Sequence, residues 1–181
     1  MKRLLWFSLV LLAGGCAHAW SQVAPSAYAS PLSFSVGAEG SGFNPDYGPN
    51  WIYGGGIFLD LKFNRWIQVE AEGRWLRAHQ FDNIYEDNYL IGPRIPIHQF
   101  KRAEPYGKVL VGIGTMNFQD NYAYGRFTDV ALGGGLDLAL SKRLTFRAVD
   151  FEYQLWPTWV DGTLSPYGAS VGISYKVFGG H

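Results

Sequence analysis

Charged residues standing two apart inside otherwise apolar stretches are the main chemical resource of this chain. Glu70 and Glu72, Asp150 and Glu152, and Asp60 and Lys62 are spaced in this way. On an extended backbone that spacing puts both side chains on one face. Two acids so placed could act as general acid and general base. They are also what the charged wall of any sheet presents, and structural ion-pair networks perturb acids in the same way. Hydrolysis would need a nucleophile, a base and an orienting carboxylate within reach of one another. Past residue 19 the histidines are His79, His98 and His181, and no His-x-Ser element occurs. His79 stands beside Gln80 and Asp82 in an expected loop, His98 is near a short turn, and His181 is the last residue. No two histidines stand at ligand spacing, and Asp82, Asp87 and Asp120 are scattered among loops, so no metal site is expected. The triplets Gly54-Gly55-Gly56 and Gly133-Gly134-Gly135 would suit a phosphate loop only between a strand and a helix. Alternating Leu and Asp follow both, so no catalytic, cofactor-binding or metal residue is expected.

The elements that carry these charges read as strands. Apolar-polar alternation runs in strand-length stretches, stops at a turn and resumes. Eight strands are expected, near 32–40, 51–63, 67–75, 88–97, 107–117, 127–140, 144–156 and 165–178. Most are about ten residues long, which matches the roughly 9–11 that a tilted strand needs to cross a bilayer. The connections form two classes. Asn64-Arg65-Trp66, Lys101-Arg102-Ala103-Glu104 and Ser141-Lys142-Arg143 are short and basic. Residues 41–50, 78–87, 118–126 and 157–164 are longer and carry the Asn, Asp, Gly and Pro. An internal echo joins 54–65 to 133–143, each a glycine-led strand ending in a basic turn.

Met1-Lys2-Arg3, the apolar run 4–13 and Ala17-His18-Ala19 have the order of a secretory signal, so residues 1–19 are expected to direct Sec export and be removed. A competing reading is lipidation of Cys16, since Leu12-Ala13-Gly14-Gly15-Cys16 resembles a bacterial lipobox with its large apolar residue one place early. Residues 20–31 read as a flexible periplasmic leader and 32–181 as one domain. Cys16 is the only cysteine, so cleavage after Ala19 leaves no disulfide or thiolate metal site. Fifteen basic residues balance fifteen acidic ones without a basic tract, which gives no support to nucleic-acid binding.

Alternation does not say which face is inside. One face carries Trp51, Tyr53, Ile57, Leu59, Leu61, Phe63, Ile91, Ile95, Val109, Val111, Ile113, Phe151, Tyr153, Val171 and Ile173. An eight-stranded barrel is just wide enough for its side chains, and that bulk would overfill it. The other face mixes charges with Gly and Ser. Its expected lumen network is Asp60, Lys62, Glu70, Glu72, Arg74, Arg94, Lys108, Asp129, Asp137, Arg147, Asp150, Glu152 and Lys176, with Glu39 on the same face. Rings also gather at the strand ends, with Trp51, Tyr53, Tyr89, Tyr122, Tyr124, Phe127, Trp156, Trp159 and Tyr167 toward the long loops. Phe63, Trp66, Phe100, Tyr106, Phe146, Tyr175 and Phe178 lie toward the short turns, so that two interfacial girdles are expected. Ser170, Gly172, Tyr175, Val177 and Phe178 resemble the β-signal through which bacterial barrels are assembled, although Gly179-Gly180-His181 follow.

Together these residues resemble the small outer-membrane β-barrel domain family of the OmpA type, over nearly the whole chain past the signal. The resemblance implies an all-β fold, an eight-stranded antiparallel up-and-down transmembrane β-barrel with short periplasmic turns and longer outer loops. It implies a bacterial outer membrane, with lipid, lipopolysaccharide and the barrel-assembly machinery as partners, and a monomer. No peptidoglycan-binding domain is expected after the last strand. The expected role is structural, with a plugged polar lumen. The alternatives are a surface adhesin using loop rings such as Tyr47, Tyr122, Tyr124 and Trp159, a lipid-modifying enzyme, and a narrow pore.

Register makes the lumen specific. A turn at Asn64-Arg65-Trp66 sets Phe63 opposite Ile67 and the like charges Asp60 and Glu70 face to face, with Lys62 as the expected mediator. A turn at Ser141-Lys142-Arg143 sets Asp137 opposite Arg147. Keeping Arg147 inward and Phe151 outward then requires a bulge near Ala148-Val149.

Overall fold

The computed structural model describes residues 32–46, 51–64, 66–78, 84–98, 100–117, 124–159 and 162–179. The expected signal and leader, His79, His181, Tyr47 and Tyr122 lie outside the described residues. The strands are β1 (Ser33–Asn44), β2 (Ile52–Lys62), β3 (Gln68–Ala78), β4 (Ile84–Pro96), β5 (Ala103–Asn117), β6 (Tyr124–Ala139), β7 (Leu144–Trp159), β8 (Gly162–Leu164) and β9 (Tyr167–Gly179). All neighbouring pairs are antiparallel. Consecutive strands pair from β1 to β7, β7 pairs β9, and β9 returns to β1. That ring is an eight-stranded closed barrel, and the three-residue β8 merely extends the outer end of β7. Closure leaves no unpaired edge, which a backbone in lipid requires.

The strands run longer than the alternation suggested, chiefly toward the long loops. Ser41 to Asn44, Ile84 to Asp87, Tyr124 to Arg126 and Pro157 to Trp159 belong to strands. Their Asn, Gly and Tyr content suggested loop. Cross-strand pairing continues instead, as in Ala78↔Ile84 and Asn117↔Tyr124. At the opposite end the turns are tight. The Asn64 side-chain oxygen accepts from the Trp66 and Ile67 amides at 2.8 and 2.9 Å. The Ser141 hydroxyl likewise accepts from Arg143 and Leu144 at 3.3 and 3.0 Å. Such side-chain-to-backbone bonds replace the ladder where the chain reverses.

The apolar face is outward. Ile57, Ile91, Ile95, Val109, Val111, Ile113, Phe151, Val171 and Ile173 are all exposed. Soluble monomers rarely expose so continuous an apolar surface, which marks a face for lipid or a partner. Trp51, Tyr53, Tyr89, Tyr124 and Tyr167 ring the outer end, and Phe63, Trp66, Phe100, Phe146, Tyr175 and Phe178 ring the other. Three rings expected in these girdles are buried inside: Tyr106, Phe127 and Trp156. Each shares inward parity with a charged neighbour two residues away or across the ladder, as Tyr106 does with Lys108. The interior is therefore not charge and glycine alone. Phe43, Ile52 and Leu76 form one buried cluster, Leu90, Leu110 and Ala131 a second, and Met116, Phe127 and Trp156 a third. The first and third lie toward the long loops and cap the charged middle.

Glycine makes room for the larger interior rings. A Cβ at Gly37 would stand 2.2 Å from the Phe58 ring, and one at Gly135 would stand 2.6 Å from the Tyr106 hydroxyl. A bulge sits where Arg147 and Asp150 both point inward. Against β6 the register passes from Asp137↔Arg147 to Leu136↔Val149, and against β9 from Gly172↔Arg147 to Ser170↔Asp150. The extra residue restores the parity that alternation alone would break.

Candidate functional site

The middle of the barrel is a belt of four cations set among carboxylates. Strand alternation brings Asp60 from β2, Glu70, Glu72 and Arg74 from β3, and Arg94 from β4 to the axis. Lys108 comes from β5, Asp137 from β6, and Arg147, Asp150 and Glu152 from β7. Asp60 and Glu70 are direct cross-strand partners. Arg94 separates them, with Nη1 3.1 Å from an oxygen of each, while its Nη2 lies 2.5 Å from Asp137. Arg147 Nη2 adds a 2.6 Å contact to Glu70 and its Nη1 a 3.1 Å contact to Asp150. Lys108 Nζ lies 2.8 Å from Glu70, 3.1 Å from Glu72, and 2.6 Å from both Asp150 and Glu152. Arg74 Nη2 pairs with Glu72 and reaches Glu152 at 2.9 Å.

Aromatic rings support three of these cations from the side. Arg94 lies 3.6 Å from the centroid of Tyr106, Arg147 3.6 Å from that of Phe58, and Arg74 4.1 Å from that of Phe43. Each guanidinium thus has carboxylate partners and lies over an aromatic ring. Burying an unpaired ion costs several kcal/mol, and the belt offsets this by giving each cation at least three carboxylates within 4.0 Å.

Carboxylate oxygens of Glu70, Glu72 and Asp150 lie within 4.8 Å of one another, a spacing that would suit a metal ion. Lys108 Nζ stands within 3.1 Å of all three residues, so an ammonium of this chain takes that position.

The expected network divides by position. Asp60, Glu70, Glu72, Arg74, Arg94, Lys108, Asp137, Arg147, Asp150 and Glu152 form the linked belt. Lys62 stands apart from the Asp60–Glu70 pair that it was expected to mediate. It pairs with Glu104 at 3.2 Å, and Gln68 donates to the same carboxylate at 3.1 Å. Lys176 lines a cavity of about 170 Å³ at the short-turn mouth, together with Ser35, Lys62, Arg102, Lys142 and Thr145. Asp137 is the register partner of Arg147, but its nearer cation is Arg94, since Arg147 Nε lies 3.7 Å away. Asp129 lies at the far end and accepts from Asn88 at 2.7 Å.

Within the expected assembly signal, Ser170 is buried and Tyr175, Val177 and Phe178 are exposed. Val177 and Phe178 share the outer face because the register slips between Phe34↔Phe178 and Ser35↔Lys176. His98 packs against Phe100 with ring centroids 4.4 Å apart.

Glu86, Asn88, Gln154, Phe58 and Tyr106 are buried in the interior but were not read as lumen residues. Parity would have found them. Glu86 and Asn88 continue the inward series of Leu90, and Gln154 continues that of Glu152.

Comparison with known proteins places this architecture. The outer membrane protein beta-barrel domain family matches residues 7–176. Neisserial surface protein A superposes with a TM-score of 0.62 at 9% identity, over 82% of this chain and 98% of that one. The N-terminal β-barrel domain of Pseudomonas aeruginosa OprF gives 0.56 at 13% identity, over 82% and 99%. The Yersinia pestis attachment invasion locus protein Ail, crystallised with the heparin analogue sucrose octasulfate, gives 0.51 at 19% identity, over 80% and 97%. No curated protein sequence matches significantly. With its apolar exterior, closed ring of strands and near-complete family match, the chain belongs to the outer membrane protein beta-barrel domain family.

Proposed function

We propose that this protein is a structural barrel of the bacterial outer membrane, with a sealed interior and no catalytic role. The observation that carries the reading is the occlusion of the axis. Four cations cross-link carboxylates from five strands, and buried side chains, Phe43, Ile52 and Leu76 among them, close the barrel beyond the belt. A conducting pore would need that belt to open. An enzyme would need a substrate-sized cleft reaching reactive groups, and the described cavity at the short-turn mouth holds about 170 Å³. That is below the 300–1,000 Å³ of ordinary ligand sites, and the larger groove of about 380 Å³ beside Ile95, Val109 and Leu132 lies on the apolar outer face.

In this reading lipid and lipopolysaccharide contact the apolar exterior. The barrel-assembly machinery recognises Ser170, Gly172, Tyr175, Val177 and Phe178. The signal segment delivers the chain by Sec export. Two measurements test the reading on the refolded protein. Heat-modifiable gel mobility reports the closed barrel. Planar-bilayer recording is expected to show no steady conductance, and a stable open level at neutral pH would overturn the sealed interior.

A further inference from the structure

The short-turn end of the barrel carries cations that the belt does not use. Lys62, Arg102, Lys142 and Lys176 line the cavity of about 170 Å³ there, together with the buried Arg94 and three acids, Asp60, Glu104 and Asp137. Each acid already has a cation. Arg94 lies 3.1 Å from Asp60 and 2.5 Å from Asp137, and Lys62 lies 3.2 Å from Glu104. Arg102, Lys142 and Lys176 are left over, with no carboxylate within 4.0 Å among the described residues.

Register gathers these three on one side of the cavity. Lys176 stands opposite Ser35, and Ser174 stands opposite Thr145. Thr145 is also opposite Ala139, whose amide donates to the Arg102 carbonyl at 2.7 Å. The Lys176 amide donates to the Arg143 carbonyl at 2.7 Å, which fixes the turn carrying Lys142 beside β9. Thus β1, β7 and β9 offer the cavity Ser35, Thr145, Ser174 and Lys176. The opposite side is filled by Lys62 of β2, Gln68 of β3 and Glu104 of β5, which bind one another. No hydrogen bond engages the side-chain hydroxyls of Ser35, Thr145 and Ser174 among the described residues, so each has a proton to donate.

Three cations and three hydroxyls around one cavity, with no acceptor of their own, have the chemistry of an oxyanion site. We propose that this side of the short-turn mouth binds a phosphate group through Arg102, Lys142 and Lys176. A phosphate brings about two negative charges and several acceptor oxygens, and the arginine fork matches two of them. A carboxylate brings one charge and two oxygens, and would leave donors idle. The volume agrees. A water molecule takes about 30 Å³, so the cavity has room for a phosphate group and excludes a drug-sized organic ligand. The site goes beyond the structural role and leaves the sealed belt intact. In the expected orientation this mouth faces the periplasm and the headgroups of the inner leaflet, so the phosphate comes from solution or from a phospholipid.

The test is calorimetric titration of inorganic phosphate into the refolded protein in a sugar-based detergent, which contributes no phosphate, at constant ionic strength. The expected result is saturable binding of one phosphate per barrel, absent with acetate and weakened roughly tenfold or more in Lys176→Gln and in Arg102→Gln. Lys101→Gln removes an exposed cation of the same end that does not line the cavity, and should bind as wild type does. Heat-modifiable mobility checks that each variant is folded. The wild-type unfolding midpoint should also rise with phosphate and not with chloride, a reading that needs no variant. Absence of saturable binding to wild type, or an equal loss in Lys101→Gln and Lys176→Gln, would overturn the site. Competition with short-chain phosphatidylglycerol separates the sources. Displacement of phosphate assigns the site to headgroups, lack of displacement assigns it to the free ion, and either result keeps the site.

Discussion

Replacing Lys108 by Met removes the ammonium on which the most carboxylates converge while keeping most of the side chain's volume. Four acids lie within 3.1 Å of Nζ. At an effective dielectric near 20, one such pair at about 2.8 Å is worth roughly 6 kcal/mol before desolvation. The net cost is far smaller, because the ammonium also sheds its own desolvation penalty and each acid keeps another partner. Arg147 still serves Glu70 and Asp150, and Arg74 still serves Glu72 and Glu152. The loss should therefore sit at the lower end of the roughly 3–5 kcal/mol observed when one member of a buried pair is removed. With a urea dependence of about 2 kcal/mol per molar, the midpoint should fall by roughly 1.5 M. The assay is urea unfolding of the barrel in phospholipid vesicles, followed by tryptophan emission and gel mobility. Adding Glu72→Gln or Asp150→Asn to Lys108→Met should recover part of the loss, since it removes an acid left in excess. The deficit should also narrow in acid, where protonation relieves the repulsion. A Lys108→Met barrel with an unchanged or higher midpoint would refute the claim that the belt stabilises the fold.

Three other outcomes follow from the same geometry. Glu70→Gln should cost about 3 kcal/mol and Asp137→Asn nearer 1 kcal/mol in the same urea assay. Glu70 is fully buried and shared by Arg94, Lys108 and Arg147, whereas Asp137 lies by the open mouth. For the same reason Asp137→Arg should not rescue Arg147→Glu, because the nearest acid to Arg147 is Glu70. Phe58→Ala should cost about 3–5 kcal/mol by emptying the space that Gly37 leaves and removing the ring under Arg147, read as a loss of unfolding midpoint. Val111→Arg, on the exposed face beside Ile91 and Val130, should cost about 2–4 kcal/mol in vesicles, and a neutral result would contradict a lipid-facing surface there.

Much of the barrel was legible in the chain because a strand's side chains alternate with period two. That period assigned Ile57, Val111 and Ile173 to one face and Asp60, Glu70 and Lys108 to the other. The parity clash between Arg147 and Phe151 even required a bulge, and the register slips there. Strand ends were less legible. Near the outer loops, Asn, Gly and Tyr suit both a turn and a paired strand, so Glu86 and Asn88 read as loop and its margin. Tyr106, Phe127 and Trp156 were misplaced for a related reason. A ring near a strand end has equal claim to an interfacial girdle and to the capped interior, and parity is the better guide.

Composition and alternation thus settled the class of fold, the outward turn of the apolar face and the identity of most charges on the axis, because each depends only on neighbours along one strand. Which cation meets which acid depended on closure. Arg94, Lys108 and Arg147 reach acids as far as 108 residues away in sequence, and only the ring of eight strands fixes their relative height and rotation. Lys62 took Glu104 and Arg94 took the Asp60–Glu70 pair because long side chains choose among several acids by distance across the lumen, a quantity that no single strand contains.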